Sequence, residues 1–473
     1  MHRMLNLHEK EDIIKFVSEN NVKIINLCHI PEDGRLKTLS FAATNKDKIR
    51  DILSFGERVD GSSLLSFIEP GKSDIYIKPN IDKAFIHPFA ELPTLNILCD
   101  YLDEGGKPLA VAPTNVLARA EKKLFSASGI SMKALAELEF YIISGQEKEI
   151  LFPSSPDRNY HESAPFAQFE NLRNEVLATL DSLGIPTKYC HSEVGRIQCE
   201  NGVFMEQHEV EFAPENLAEM AETVAIAKWI IRNVCAKHGV SVSFSPKPAL
   251  EHAGNGMHIH LAGLRKGKNI IKTPSGTLSV EAWRMIGGLL KFAPSLAAFG
   301  NPRPVSYLRF IARKESPMHI CWSARNRLAL IRIPLWWDFA RSQEKKEGYR
   351  ETFEYRASDA LANVPLLFAG MVTAVSYAVE RPAETLKIAE KSHVEGSRIE
   401  NENLKMLPRS CNEAAENLRR DRSLYEEGGV FPKRLIDKTI EGLKAHKDRN
   451  LWKDLEGKSE EVEKMLKEYL HCG

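Results

Sequence analysis

The stretch GNGMHIHL, residues 254–261, limits what this chain can build more than any other. His258 and His260 stand two residues apart. In a helix such a pair points to nearly opposite sides; in a strand it shares one face, about 7 Å apart. Gly254 and Gly256 disfavour a helix start, and Met257, Ile259 and Leu261 supply the alternating apolar face of a half-buried strand. Alone, the pair reads most simply as ordinary core or surface histidines. Three further segments share its pattern. KALAELEFYII (133–143) puts Glu137 and Glu139 on one face, and MEQHEVEF (205–212) does the same for Gln207, Glu209 and Glu211. FEYRASD (353–359) places Glu354 beside Arg356. One polar-faced strand is an exposed sheet face; four predict a curved sheet whose concave side is a polar cavity.

Such a cavity has an electrostatic problem. Two carboxylates about 5 Å apart repel by about 3 kcal/mol at an effective dielectric of 20. They must take up protons or hold cations. Several glutamates with one or two histidines and no thiolate suit Mg²⁺ or Mn²⁺ better than zinc. Two such ions in one cleft clamp phosphate oxygens, which points to metal-assisted phosphoryl transfer. Arg309, Arg325, Arg327, Arg332 and Arg356 lie in apolar, strand-like text. Buried arginine needs an anion. Some pair with structural glutamates; as a group they form a clamp for phosphates and a carboxylate substrate.

Composition narrows the class. The 473 residues carry 64 Lys+Arg against 64 Asp+Glu, so charge gives no sign of a nucleic-acid or membrane surface. No apolar run reaches the roughly 18–20 residues of a membrane span, and the first residues lack the apolar region of a signal peptide. The eight cysteines are scattered without a CxxC pair, as expected of reduced thiols in cytoplasm. DEGGKP (103–108) marks a boundary between residues 1–106, rich in short strands and turns, and residues 107–473. Helices are expected at 115–129, 215–239 and 279–299, with a charged helical region from about residue 410.

Taken in order, these segments resemble the glutamine synthetase family. DGSS (60–63), SDIYIKP (73–79), ELEFY (137–141), HSEV (191–194), EQHEVEF, and SPKP with GNGMHIH are similar to its motifs. So are NPRPVSYLRF, KESP, WSARNRLALIRIP and FEYRASDALANVP. The resemblance implies an α+β fold: a small N-terminal β-grasp domain, then a catalytic domain with a curved antiparallel half-barrel sheet backed by helices. It implies stacked homo-oligomeric rings, a dodecamer by family analogy, with ATP, glutamate and ammonium as substrates. One metal would take Glu139, Glu193 and Glu209, and a second Glu137, His258 and Glu354. His260 would sit beside the nucleotide, and Arg327 and Arg332 would face ATP phosphates. Gly254, Arg309, Arg356 and Ser63 would hold substrate. Asp60, from a neighbouring subunit, would bind ammonium and take its proton, and Glu315 would close over the site.

The chain also departs from the family pattern. The spacing from Glu193 to Glu209 is long, and Glu200 in GRIQCE is a rival third ligand. Glu209 is preferred because its distance to Lys228 fits without a gap. Ala253 stands where the family usually has Asn, and Thr352 where it usually has Arg. Lys345, Lys346 or Arg350 in the charged loop after Arg332 replaces that cation, or the loop is solvated surface. No match to the adenylylated tyrosine loop is found. A glutamate–ammonia ligase is expected first. A γ-glutamyl ligase for an organic amine, a guanidino kinase and a catalytically silent ring scaffold are the alternatives.

Overall fold

The computed structural model describes residues 5, 7–145, 155–198, 202–311, 316–336, 351–396, 399, 403–457 and 459–473. The short apolar runs near the N-terminus build a five-stranded sheet. Its strands are β1 (Ile24–His29), β2 (Lys37–Ala42), β3 (Glu57–Asp60), β4 (Asp74–Ile86) and β5 (Thr94–Leu102), in the order β2-β1-β5-β4-β3. Only β1 and β5 run parallel. Helix α1 (Lys10–Glu19) and α2 (Lys46–Phe55) cover one face. Their apolar stripes, Ile13, Ile14 and Val17 with Ile49, Ile52 and Leu53, bury against Ile75, Ile77 and Ile97. Asn45 caps α2 by accepting from the Asp47 and Lys48 amides.

The second sheet has ten strands. They are β6 (Ile130–Ser144), β7 (Thr187–Gln198), β8 (Phe204–Phe212), β9 (Glu215–Asn216), β10 (Ser241–Ser243), β11 (Met257–Arg265), β12 (Lys268–Asn269), β13 (Trp322–Ala324), β14 (Ile331–Ile333) and β15 (Phe353–Tyr355). The main path is β13-β14-β15-β11-β6-β8-β7, antiparallel except for the short β13–β14 pair. The sheet curls into a half-barrel. Its apolar side, including Ala136, Leu138, Phe140, Ile259 and Leu261, joins one large core. Helices α3 (Pro113–Ser128), α4 (Glu170–Ser182), α5 (Leu217–Lys237), α6 (Val280–Gly300), α7 (Pro304–Ile311), α8 (Val364–Glu380), α9 (Pro382–Lys391), α10 (Cys411–Glu426), α11 (Lys433–Ala445), α12 (Leu451–Leu455) and α13 (Ser459–Tyr469) complete it. The helices expected at 115–129, 215–239 and 279–299 are α3, α5 and α6. Gly129, at φ 68°, ends α3 in the left-handed conformation that glycine adopts freely, and the Ser279 side chain caps α6.

Among the described residues no single helix is long and apolar enough to cross a membrane. Helices α8 and α9 pass such a test only as a pair bent by 110°, and α8 is mostly buried, packed on α3 and α6.

Helix α5 buries one cation. Lys228 is 3 % exposed and its Nζ donates to the Ala360 carbonyl at 2.8 Å. Burial, aided by the charge of Arg232, lowers its pKa from 10.5 to about 7. Between those values the unfolded chain holds a proton that the folded chain has lost, so this group makes stability climb with pH. Lys228→Met is therefore expected to stabilise the fold at neutral pH, by on the order of 3 kcal/mol after loss of the hydrogen bond. The gain should fade as pH approaches 10. Denaturant midpoints across that range check it; a constant difference would mean that Lys228 is charged when folded.

Candidate active site

The concave side of the half-barrel carries the predicted side chains because the strand register puts them there. His258 on β11 lies opposite Glu137 on β6, and Glu139 lies opposite Glu209 on β8. His260 lies opposite Glu354 on β15. All of these except Glu354, whose side chain is fully buried, line a cavity of about 680 Å³ that also receives Glu193, Glu211, Gly254, Arg309, Arg327, Arg332 and Arg356. The reverse face of β8 holds Glu206 and His208, fully buried and 3.2 Å apart, so the alternation separates two polar layers.

Glu137 is the hub. It meets His258 Nδ1 at 2.9 Å through one oxygen and His260 Nε2 at 2.9 Å through the other. Burial opposes its charge, but His260 and His258 outweigh burial and hold its carboxyl well below the usual range. His260 Nδ1 also meets the Thr352 hydroxyl at 3.0 Å. Glu139 accepts from the Gly256 amide at 2.7 Å and from Gln207 at 3.3 Å. Glu354 is fully buried between Arg332, at 2.6 Å, and Arg356. Burial pushes its pKa up, yet Arg356 keeps it low.

At the other end of the cluster the strongest neighbouring charges are negative. Burial and the charges of Glu139 and Glu209 push Glu193 up to about 9. Glu209, deeply buried beside Glu137 and Glu139, is raised as well, although His191 lies 2.9 Å away. Oxygen donors with two imidazoles and surplus negative charge are the chemistry of a Mg²⁺- or Mn²⁺-binding cleft. Among the described residues, two triplets have ligand atoms close enough to share an ion: Glu137, Glu209 and His258, and Glu137, His260 and Glu354. These differ from the expected partition. Glu137 belongs to both triplets, and His260, expected beside the nucleotide, joins the second.

The strand β7 reaches the cavity through two irregularities. Thr187 pairs with Phe212 but Tyr189 with Glu211, leaving Lys188 as an extra residue. Further on, Glu193, Val194 and Gly195 together oppose Gln207. That second bulge aims Glu193 into the cavity. A Cβ at Gly195 would lie 1.8 Å from the buried Tyr141 hydroxyl and 2.6 Å from Gln207 Oε1, so only glycine fits. Gln207 also accepts from the Gly195 amide at 2.9 Å and donates to the Gly254 carbonyl at 3.0 Å.

The arginines differ most from expectation. Arg309 lies on helix α7, not on a strand; Pro304 at the helix start was its signal. It is buried and donates to the Ala357 and Arg356 carbonyls at 3.1 and 3.2 Å. Arg325 and Arg327 are exposed; Arg327 lines the cavity and Arg325 does not. Arg332 and Arg356 grip Glu354. Asp60 and Ser63 lie outside this cavity in their own chain. Asp60 is exposed, and hydroxyls of Ser63 and Ser62 hold its carboxyl well below the usual range. Glu315, Glu200, Lys345, Lys346 and Arg350 lie outside the described residues. Sequence pattern left Lys188, Tyr189, His191 and Tyr160 without a role, though all line the cavity.

Two family models divide nearly the whole chain between them. "Glutamine synthetase, catalytic domain" matches residues 110–463, and "Glutamine synthetase, beta-Grasp domain" matches residues 21–104. The chain belongs to the glutamine synthetase family. A glutamine synthetase of Thermotoga maritima is 31% identical over 451 residues, covering 94% of this chain and 96% of the relative. A 3-hydroxylaminophenol mutase of Cupriavidus pinatubonensis is 30% identical over 461 residues, covering 91% and 94%. Among solved structures, a Plasmodium falciparum glutamine synthetase superposes with a TM-score of 0.80 at 18% identity, covering 95% of this chain and 97% of the other. A GmaS/ADP complex gives 0.73 at 21% identity, covering 95% and 98%. Both share the fold. As a glutamine synthetase family member this protein is a ligase of a family that uses ATP and divalent metal ions.

Proposed function

We propose that this protein joins glutamate to ammonium, with ATP cleaved to ADP and phosphate, through a γ-glutamyl phosphate. The observation that carries the reading is the cavity itself: a buried glutamate–histidine cluster faces Arg309, Arg327 and Arg332 in one space. Residues 1–106 and 107–473 are read as the β-grasp and catalytic domains.

Glu137, Glu139, Glu193, Glu209, His258 and Glu354, with His260 at the edge, would hold two Mg²⁺ or Mn²⁺ ions. Bound there, the ions supply charge neutralisation for a transferring phosphoryl group. Arg332 lines the cavity with part of its side chain exposed, as suits a guanidinium that meets a phosphate oxygen. Arg327 at the rim would meet the same anion. Arg309, Arg356 and the Gly254 backbone would orient glutamate so that its γ-carboxylate attacks the terminal phosphorus of ATP. Ammonia then displaces phosphate to form the amide. Asp60, supplied by a second copy of the chain in a ring, would bind ammonium: its hydroxyl partners keep it ionised. Glu315 would close the site against water, which would otherwise hydrolyse the acyl phosphate.

The test is phosphate release from ATP and Mg²⁺ with glutamate, with and without ammonium. Release that needs both, with glutamine formed in step, supports the reading. One observation favours a γ-glutamyl ligase for an organic amine as the second reading. Ala253 lines the cavity with a methyl group where the family pattern has Asn, and Tyr141 holds its carbonyl at 2.8 Å. Release only with an organic amine in place of ammonium would select it. No turnover with any amine would favour the ring scaffold. His258→Ala should weaken Mn²⁺ binding by about 10- to 100-fold, read from free Mn²⁺ by paramagnetic resonance. Unchanged binding and turnover would remove His258 from the ligand set.

A further inference from the structure

One cation in the cleft has no part in the reaction described above. Lys188 is the extra residue of the first β7 bulge. Strict alternation would put Lys188 and Tyr189 on opposite faces of the strand; the bulge brings both to the cavity. There Lys188 Nζ forms an ion pair with Glu211, and the Tyr189 hydroxyl bonds to the same carboxylate. The ammonium also stands 4.9 Å from the centre of the Tyr189 ring. Glu211 is only 2 % exposed and lies opposite Glu137 across the β6–β8 pair, one step beyond Glu209 on β8. It continues the carboxylate row that makes up the metal-binding triplets, yet neither triplet includes it.

We propose that Lys188 is a resident cation at the Glu211 level of the cleft. It occupies the place a third divalent ion would otherwise take, and confines the ions to the two triplets built on Glu137. This rests on the reading of those triplets as metal sites. A buried carboxylate needs a positive partner, and a tethered ammonium meets that need differently from a free ion. It donates hydrogen bonds but offers no open coordination position to a phosphate oxygen. Glu211 then serves as a wall of the cavity, and Lys188 as a positioning residue. With half of its side chain in solvent, Lys188 can be replaced without opening the core.

Counting bound Mn²⁺ per chain, by paramagnetic resonance on the full-length apoprotein at mildly alkaline pH, tests this. The parent should bind two ions, one for each triplet. Lys188→Met should bind three, because Glu211 then faces the cleft opposite Glu137 with no tethered ammonium on it. Lys188→Arg keeps the charge and should return the count to two, as should Lys188→Met combined with Glu211→Gln. Lys188→Gln is a second neutral variant, with the same expectation as Lys188→Met if the methionine variant does not fold. Two ions in the neutral variants would overturn the proposal and leave the two triplets standing. Three ions in the parent would overturn it too. No ions in the parent would remove both the proposal and the metal reading beneath it.

Discussion

Glu137→Gln is expected to reduce glutamate-dependent phosphate release from ATP by roughly 1000-fold, the scale of losing a preorganised electrostatic contact to a developing charge. The substitution keeps the shape of the side chain and removes its charge. Both histidines of the cleft lose their anion at once, since each uses one Glu137 oxygen at 2.9 Å. Both triplets also lose their shared member. Replacing His258 alone disturbs one of them, so its effect should be smaller. Initial rates give the result, with Mn²⁺ titration to locate the defect and circular dichroism to show that the fold survives. A rate within tenfold of the parent would take Glu137 out of the reaction.

The second large effect concerns folding. Arg356→Met leaves Glu354 buried with one arginine instead of two. Breaking a buried ion pair from one side costs roughly 3–5 kcal/mol, because the remaining charge keeps its desolvation penalty and loses its partner. Denaturant midpoints should fall accordingly. The defect is one of charge, so adding Glu354→Gln to Arg356→Met should recover part of the loss. Acidification should also narrow the gap between variant and parent, since a protonated Glu354 no longer needs a cation. A double variant as unstable as the single one would assign the loss to packing around the arginine.

The residues best read from sequence were those on regular strands. Glu137, Glu139, Glu209, His258, His260 and Glu354 follow a period of two, and the pleat carries that period into space without correction. Long amphipathic helices were legible for the same reason, as at α5 and α6. What escaped was set by departures from regularity or by partners distant in sequence. Lys188 was unreadable because one inserted residue reverses its face. Arg309 sits in apolar text that suits a strand as well as a short helix, and only Pro304 favoured the helix. Arg332 and Arg356 were recognised as cations that need anions, but no local pattern reveals that both meet Glu354. The long spacing between Glu193 and Glu209 has a plain structural origin: the β7–β8 hairpin extends beyond the cavity, and Glu209 pairs with His191 on the way back.

The two bulges of β7 also bear on how such a chain can change over generations. A uniform strand transmits any insertion along its whole length, turning each later side chain to the wrong face. Here the residues from Tyr189 to Ser192 lie between two breaks in register. Each break can absorb an added or lost residue before the change reaches His191. The connections on either side of β7 are thus free to lengthen or shorten over evolutionary time, while His191 keeps its place opposite Glu209.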